Sequence, residues 1–267
     1  MSSLRPTQLT FSLQALAANS AGISTTRDGW GAAFYQGNDV ALFREPSAAS
    51  DSPLVRFLEA HGSRSTLAVS HIRHATRGAV SLSNTQPFVR ELAGRAHVFA
   101  HNGNLPGIER DDRLTCTRYR PVGETDSEHA FCGLLERLHP LWAGASTPLA
   151  LDERLCVISE FAADLRKLGP ANFLYTDGDV LFAHGHRRIQ RSSGQVAPPG
   201  LWLLACRCTD PGEALHADGV TVAPGFQEMV LIASVPLTQE AWRPLTDGEL
   251  VAVSAGRLRH LDDFVRC

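Results

Sequence analysis

Residues 96–104 read Ala-His-Val-Phe-Ala-His-Asn-Gly-Asn, a short β-rich run that ends directly in a polar, glycine-containing turn. Thr66–Ile72 has the same design and runs into His71-Ile72-Arg73-His74-Ala75-Thr76-Arg77-Gly78. Both runs read as strands that deliver side chains to one edge of a sheet. Around them lie further strand candidates. Gly29–Tyr35 and Val40–Phe43 flank Gly37-Asn38-Asp39, a hairpin signature, and Phe173–Tyr175 and Val180–Phe182 flank Asp177-Gly178, another. Leu201–Ala205, Met229–Val235 and Leu250–Val253 continue the pattern to the end of the chain.

Helices interrupt this series in three places. Ser52 suits an N-cap and Pro53 the first helical position, with Leu54, Phe57 and Leu58 on one stripe and Gly62 as the stop. Thr125-Asp126-Ser127-Glu128 is a capping-box pattern, followed by Ala130, Phe131, Leu134, Leu135 and Leu138 on one face. Residues 151–168 align Leu155, Ile158, Phe161, Leu165 and Leu168 before Gly169-Pro170 stops the helix. Strands, then helices, then strands favour a layered α+β domain over a doubly wound βαβ sheet. No linker or internal repeat divides the chain.

Composition narrows the function classes. The 267 residues carry 43% hydrophobic and 20% charged side chains and a net charge of −3. That charge gives no electrostatic grip on nucleic acid or an anionic membrane. No apolar run approaches the roughly 18–20 residues of a membrane helix, and the first twenty residues lack a signal-peptide pattern. The six cysteines, at 116, 132, 156, 206, 208 and 267, are scattered, which reads as reduced thiols in a cytoplasm. Cys206-x-Cys208 with His216 downstream is not a zinc-knuckle spacing, so no metal is expected. His184-x-His186 follows a strand candidate and reads as loop, and Arg187-Arg188…Arg191 reads as a solvated turn.

Three segments carry candidate chemistry: 71–78, His101-Asn102-Gly103-Asn104, and Gly123-Glu124-Thr125-Asp126-Ser127-Glu128. Taken singly, Arg73 fits a surface charge, Asn102-Gly103 a hairpin turn, and Asp126 an ordinary helix N-terminal charge. Their order and spacing together resemble the class II glutamine amidotransferases, which are N-terminal-nucleophile hydrolases. Asp28-Gly29-Trp30-Gly31, Asn84-Thr85-Gln86-Pro87-Phe88 and Arg120-Pro121-Val122-Gly123 sharpen the likeness to the small stand-alone bacterial type. It runs from about residue 6 to about residue 185.

The resemblance implies a four-layer αββα sandwich spanning 1–267 as a single domain, with strands in 186–267 completing it. It also implies a γ-glutamyl amide pocket with no cofactor and a small-molecule substrate, glutamine or a γ-glutamyl compound. Arg73 would clamp the α-carboxylate, Thr76 would add a hydroxyl or backbone contact, and Asp126 would take the α-ammonium. The Asn102 side chain and the Gly103 N–H would form an oxyanion hole, where a Cβ at 103 would block close approach.

Two departures stand out. Members of the family begin Met-Cys, and the cysteine, freed at its amine, attacks the amide; here the chain begins Met1-Ser2-Ser3-Leu4. Stand-alone members begin Met-Cys-x-Leu-Leu-Gly-Met, then a few polar residues and Pro-Thr. Met1 through Pro6-Thr7 resembles that sequence from its second Met. In that register Ser2 lies too far along an extended strand to replace the cysteine, so the nucleophile is expected just upstream of Met1, and the chain starting at Met1 is expected to bind a γ-glutamyl group better than it cleaves one. A catalytically inactive binding module or partner subunit is the alternative. The second departure is Gln86 where the family has His; Gln keeps hydrogen bonding but carries no proton.

Overall fold

The computed structural model describes residues 1–8, 28–73, 78–144, 149–190, 192–208, 215–217, 220–222 and 226–262. Two antiparallel sheets dominate it. The strands are β1 (Ser2–Gln8), β2 (Trp30–Gln36), β3 (Asp39–Glu45), β4 (Arg64–Ile72), β5 (Phe88–Leu92), β6 (Arg95–Gly103), β7 (Ala171–Thr176), β8 (Leu181–His184), β9 (Trp202–Cys208), β10 (Gln227–Ala233), β11 (Arg243–Pro244), β12 (Leu250–Ser254) and β13 (Arg257–Asp262). One sheet runs β11-β9-β10-β1-β4-β2-β3 and the other β13-β12-β8-β7-β6-β5. The last five strands are shared between the two sheets. Both expected hairpins form, β2–β3 and β7–β8, with positive φ at Gly37 and Gly178.

Alternation along β6 shows how the layers arise. Val98 and Ala100 face the other sheet, where they meet Ala33, Leu67, Val69, Val230 and Ile232. Phe99 points the opposite way, toward helices α2 (Asp126–Trp142) and α3 (Leu151–Leu168). There it stacks on Phe131 at 5.4 Å and on Phe173 at 5.6 Å. On these two helices the apolar stripes read from the sequence are the buried ones, Phe131, Leu134, Leu135 and Leu138 on α2 and Leu155, Ile158, Phe161 and Leu165 on α3, whereas in the helix over 53–61 Phe57 of the expected stripe is exposed. On the far side, α1 (Pro53–His61), capped by Ser52, buries Val55 and Leu58 against Trp30. The α+β sandwich of four layers is therefore the architecture, with α2 and α3 as one outer layer and α1 on the other.

Some local readings are corrected. Thr125 caps α2 by accepting from the Glu128 N–H at 3.2 Å, but Glu128 does not close the box: its carboxylate takes the Gly123 N–H at 2.7 Å and pairs with Arg90. His184 is no loop residue. It ends β8 fully buried, stacked on Phe173 and bonded through Nδ1 to the Ala171 carbonyl at 2.7 Å. Cys116 and Cys132 are free thiols, whereas Cys156 is in a disulfide, against the expectation of six reduced cysteines. Cys208 and His216 have side chains outside the described residues.

Burial pushes the His184 imidazole down to about 3 and that of His97 to about 4. The unfolded chain protonates these rings near pH 6.5, so their contribution to stability is whole above that value and drains away as pH falls toward 4. The urea midpoint is expected to drop progressively below pH 6.5, and to drop less in His184→Gln. Equal slopes for both proteins between pH 6.5 and 4.5 would contradict this assignment.

Candidate functional site

The end of β6 carries His101, Asn102 and Gly103 into register with Phe173, Asn172 and Ala171 of β7. Gly103 lies so close to the loop before β7 that an ideal Cβ there would sit 1.8 Å from the Pro170 carbonyl oxygen and 2.7 Å from His101 Nε2. No side chain fits this position without moving backbone. The Asn172 amide donates to the carbonyls of Asn102 at 3.0 Å and Arg187 at 2.7 Å, which holds the turn from the other side.

Gln86 fixes the same strand end. Its Oε1 accepts the His101 N–H at 2.6 Å and its Nε2 donates to the His101 carbonyl at 3.1 Å. A buried amide supplies one donor and one acceptor to the backbone of one residue, a task that needs no titrating proton. The departure from His at this position is thus accounted for by a structural clamp.

Arg73 follows β4. Its backbone N–H donates to Gly29 O at 2.8 Å and its carbonyl accepts from Asp28 N–H at 3.1 Å. Its guanidinium donates to the Gly78 carbonyl at 3.1 Å and to that of Asp28 at 3.4 Å. Burial lowers the guanidinium's pKa, and the Asp28 carboxylate opposes that shift. Asn84 ties this loop to the α2 entry: its Nδ2 donates to the Ala79 carbonyl at 3.0 Å and its Oδ1 accepts the Glu124 N–H at 2.8 Å.

Asp126 opens α2 and is buried. Its Oδ2 accepts the Leu105 N–H at 2.7 Å, while Oδ1 accepts the Ser127 N–H at 2.8 Å and the Ser127 hydroxyl at 3.3 Å. The Ser127 hydroxyl also meets His101 Nδ1 at 2.9 Å, so α2 and the end of β6 are joined side chain to side chain. Two carboxylate oxygens offer about four lone-pair positions; three contacts leave acceptor capacity for a cation.

Arg73, Asn102, Gly103 and Asp126 all line one cavity of about 310 Å³. Thr76 lies outside the described residues. The cavity continues as a slot between β4 and β10, bounded by Ala68–Ile72 on one side and Leu231–Val235 on the other, with Met1 at its inner end. Met1 is paired with Ala68 in both directions, N to O at 2.8 Å and O to N at 3.0 Å. No cysteine among the described residues lines it.

The family profile described as class II glutamine amidotransferases matches residues 1–264. The chain belongs to the class II glutamine amidotransferases. It is 34% identical over 250 residues to the Escherichia coli (strain K12) protein YafJ, named as a glutamine amidotransferase, covering 93% of each chain. A Haemophilus influenzae relative of similar name is 32% identical, with 94% of this chain and 81% of that protein covered. Among solved structures, a glutamine amidotransferase assigned by prediction in Pseudomonas aeruginosa superposes with a TM-score of 0.67 at 30% identity, over 97% of this chain and 95% of that one. The phosphoribosylpyrophosphate amidotransferase of Bacillus subtilis shares the fold, with a TM-score of 0.54 at 15% identity, over 94% of this chain and 45% of that one.

Among the further residues of the cavity wall that the motifs did not single out as site residues are Asn84, His101, Ser127 and Asn172. The first three sit inside quoted motifs, so proximity in sequence was the available signal. Asn172 had none beyond its place at the start of a strand. Gln86→Leu is expected to cost about 2 kcal/mol or more, because it strands the N–H and carbonyl of buried His101. Gln86→Glu tests the donor half alone. Urea denaturation measures both, and a Leu variant as stable as the parent would show that the clamp does not matter.

Proposed function

We propose that this pocket takes glutamine or a γ-glutamyl compound and, with a cysteine contributed by residues preceding Met1, hydrolyses the side-chain amide through a thioester. The supporting observation is the convergence of Arg73, Asn102, Gly103 and Asp126 on one cavity. Arg73 takes the α-carboxylate and Asp126 the α-ammonium, with Thr76 assisting. Asn102 and the Gly103 N–H face the oxygen on which charge develops. Ammonia or an amine leaves, and water or an acceptor resolves the acyl enzyme. The reading includes a cytoplasmic location and residues 1–267 as one amidotransferase domain. No helix among the described residues is long and apolar enough to cross a membrane.

The slot between β4 and β10 supports an upstream nucleophile. β1 pairs Ser2 with Leu67 on β4 and with Val230 on β10, and Met1 pairs with Ala68. Carrying this register upstream puts the first residue before Met1 opposite Val69 and the fifth opposite Arg73. In stand-alone members of the family, the fifth residue before the second Met is the cysteine. The same strand would run between β4 and β10 and bring the attacking thiol level with Arg73, at the cavity that Asn102 and Gly103 also line.

Extending the chain with the codons found upstream, or with Met-Cys-x-Leu-Leu-Gly before Met1, is expected to create glutaminase activity that Cys→Ala in the extension abolishes. Arg73→Ala and Asp126→Ala are expected to weaken glutamine binding at least tenfold by calorimetry, with or without the extension. Binding without turnover in the extended protein would favour the inactive binding module, a reading also supported by the lack of a cysteine on the described cavity wall. Unchanged binding in both variants would overturn the pocket assignment. As a check on the register, burial lowers the Met1 amine to about 5. An amine of ordinary pKa near 8 in the unfolded chain makes the Met1-starting protein gain stability as pH rises from 5 to 8, by up to about 4 kcal/mol. The extended protein loses that gain.

A further inference from the structure

Away from the amide pocket, one face of α2 carries His129, Cys132 and Glu136, spaced three and four residues apart. The segment 114–119 lies along this face. Glu136 Oε1 accepts the N–H groups of Thr117 at 2.8 Å and Tyr119 at 2.9 Å, and that of Arg118 between them. The Leu114 carbonyl takes His129 Nε2 at 3.0 Å, and a Cβ at Gly133 would lie 3.4 Å from that same oxygen. This close packing sets Cys116 onto the helix. Its Sγ is 3.6 Å from the His129 carbonyl and 3.7 Å from that of Leu114, the oxygen that the His129 ring also meets, so Cys116 lies against the helix face that carries His129 and Cys132. Cys116 is partly exposed, whereas Cys132 is buried behind it.

We propose that Cys116 is a peroxide-reactive thiolate, activated by His129 and resolved by Cys132, so that the pair forms a reversible disulfide. The arrangement has each part the chemistry needs: a partly exposed sulfur, an imidazole that meets the same Leu114 carbonyl, and a second thiol one turn along the helix face on which that sulfur rests. The Cys116 thiolate attacks one oxygen of a hydroperoxide. The S–O bond forms, the O–O bond breaks, and the departing oxygen takes a proton from the His129 imidazolium. The Cys132 thiol then attacks the sulfenic sulfur. An S–S bond forms, the S–O bond breaks, and hydroxide leaves with the Cys132 proton as water. Two thiols lose two electrons and the peroxide gains them.

The electrostatics agree with this division of labour. The Cys132 and His129 hydrogen bonds bring the Cys116 thiol down to about 5, against burial and the nearby Glu136 carboxylate. Its thiol bond raises His129, which also faces Glu109. The bond to Cys116 and burial raise Cys132, near which stand Arg90 and Glu128. Cys116 is therefore the sulfur that ionises and Cys132 the one that stays protonated until called on. The crosslink ties segment 114–119 covalently to the helix whose first residue is Asp126. None of this depends on the amide pocket reading, and its test leaves that reading untouched.

The test is the pH dependence of iodoacetamide alkylation, followed peptide by peptide by mass spectrometry on the full chain. Cys116 is expected to show an inflection well below pH 7, while N-acetylcysteine in the same buffers supplies the ordinary thiol value of about 8.5. His129→Asn is expected to raise the Cys116 inflection by about one unit or more. After hydrogen peroxide, a digest without reductant should join the peptides bearing Cys116 and Cys132, and dithiothreitol should release them. In Cys132→Ser the same treatment should leave a sulfenic acid at Cys116 that dimedone traps. A Cys116 inflection coinciding with that of N-acetylcysteine, or peroxide crosslinks that bypass the pair in the parent protein, would overturn the proposal without recourse to any variant.

Discussion

The close approach of Gly103 to the Pro170 carbonyl is the constraint on which the rest of the site depends. An oxygen 1.8 Å from where a Cβ would stand leaves only backbone at that point. The β6–β7 ladder can therefore run to its last residue, and Asn104 follows it by donating to the same Pro170 oxygen at 3.3 Å. Two side-chain amides then lock the strand end from opposite directions, Gln86 on the His101 peptide and Asn172 on the Asn102 carbonyl. Asn172 is itself pinned, because its Oδ1 accepts the His186 N–H at 2.7 Å. The turn is held almost entirely by uncharged groups, so its shape is insensitive to salt and to pH near neutrality.

The pocket's charges are arranged on a different principle. Arg73 and Asp126 sit on separate elements, each held by backbone partners: carbonyls for the cation, N–H groups for the anion. A guanidinium and a carboxylate kept apart by a rigid frame suit a zwitterion, whose two charged ends each meet their complement. Had the pair collapsed on each other, a ligand would first have to break a buried ion pair. The frame that prevents this is itself polar: Asn84 links the Arg73 loop to the α2 entry, and Ser127 links α2 to His101.

What the sequence disclosed follows from how local each signal is. Both hairpins and all three helices were legible because turn glycines, capping residues and apolar stripes act within a few positions. The α3 bounds of 151–168 came from its stripe and the Gly169-Pro170 stop. That Arg73, Asn102, Gly103 and Asp126 would converge on one cavity was legible only through a resemblance, since nothing in their own neighbourhoods sets them apart from a surface charge or a turn. Residues whose roles are set across the sheet stayed silent. Gln86 meets His101 fifteen positions away, and Asn172 meets Asn102 seventy away. His184 read as loop because its burial comes from Phe173 and the Ala171 carbonyl on the neighbouring strand. The half-formed capping box is the same lesson in miniature: Glu128 had a better partner in Arg90 than in its own helix end.

The place of β1 has a consequence for how the chain comes to be folded. Its neighbour β4 is made early, but its other neighbour is β10, so Ser2 must find Val230. A ribosome would release nearly the whole polypeptide before the middle of the seven-stranded sheet can close. Until then β1 has only one hydrogen-bonded flank, and the loop to be closed is almost as long as the protein. Pairing at such sequence separation makes for slow folding and for an open strand edge during synthesis. The element that ends at the candidate site is thus paired early on one flank and enclosed late on the other.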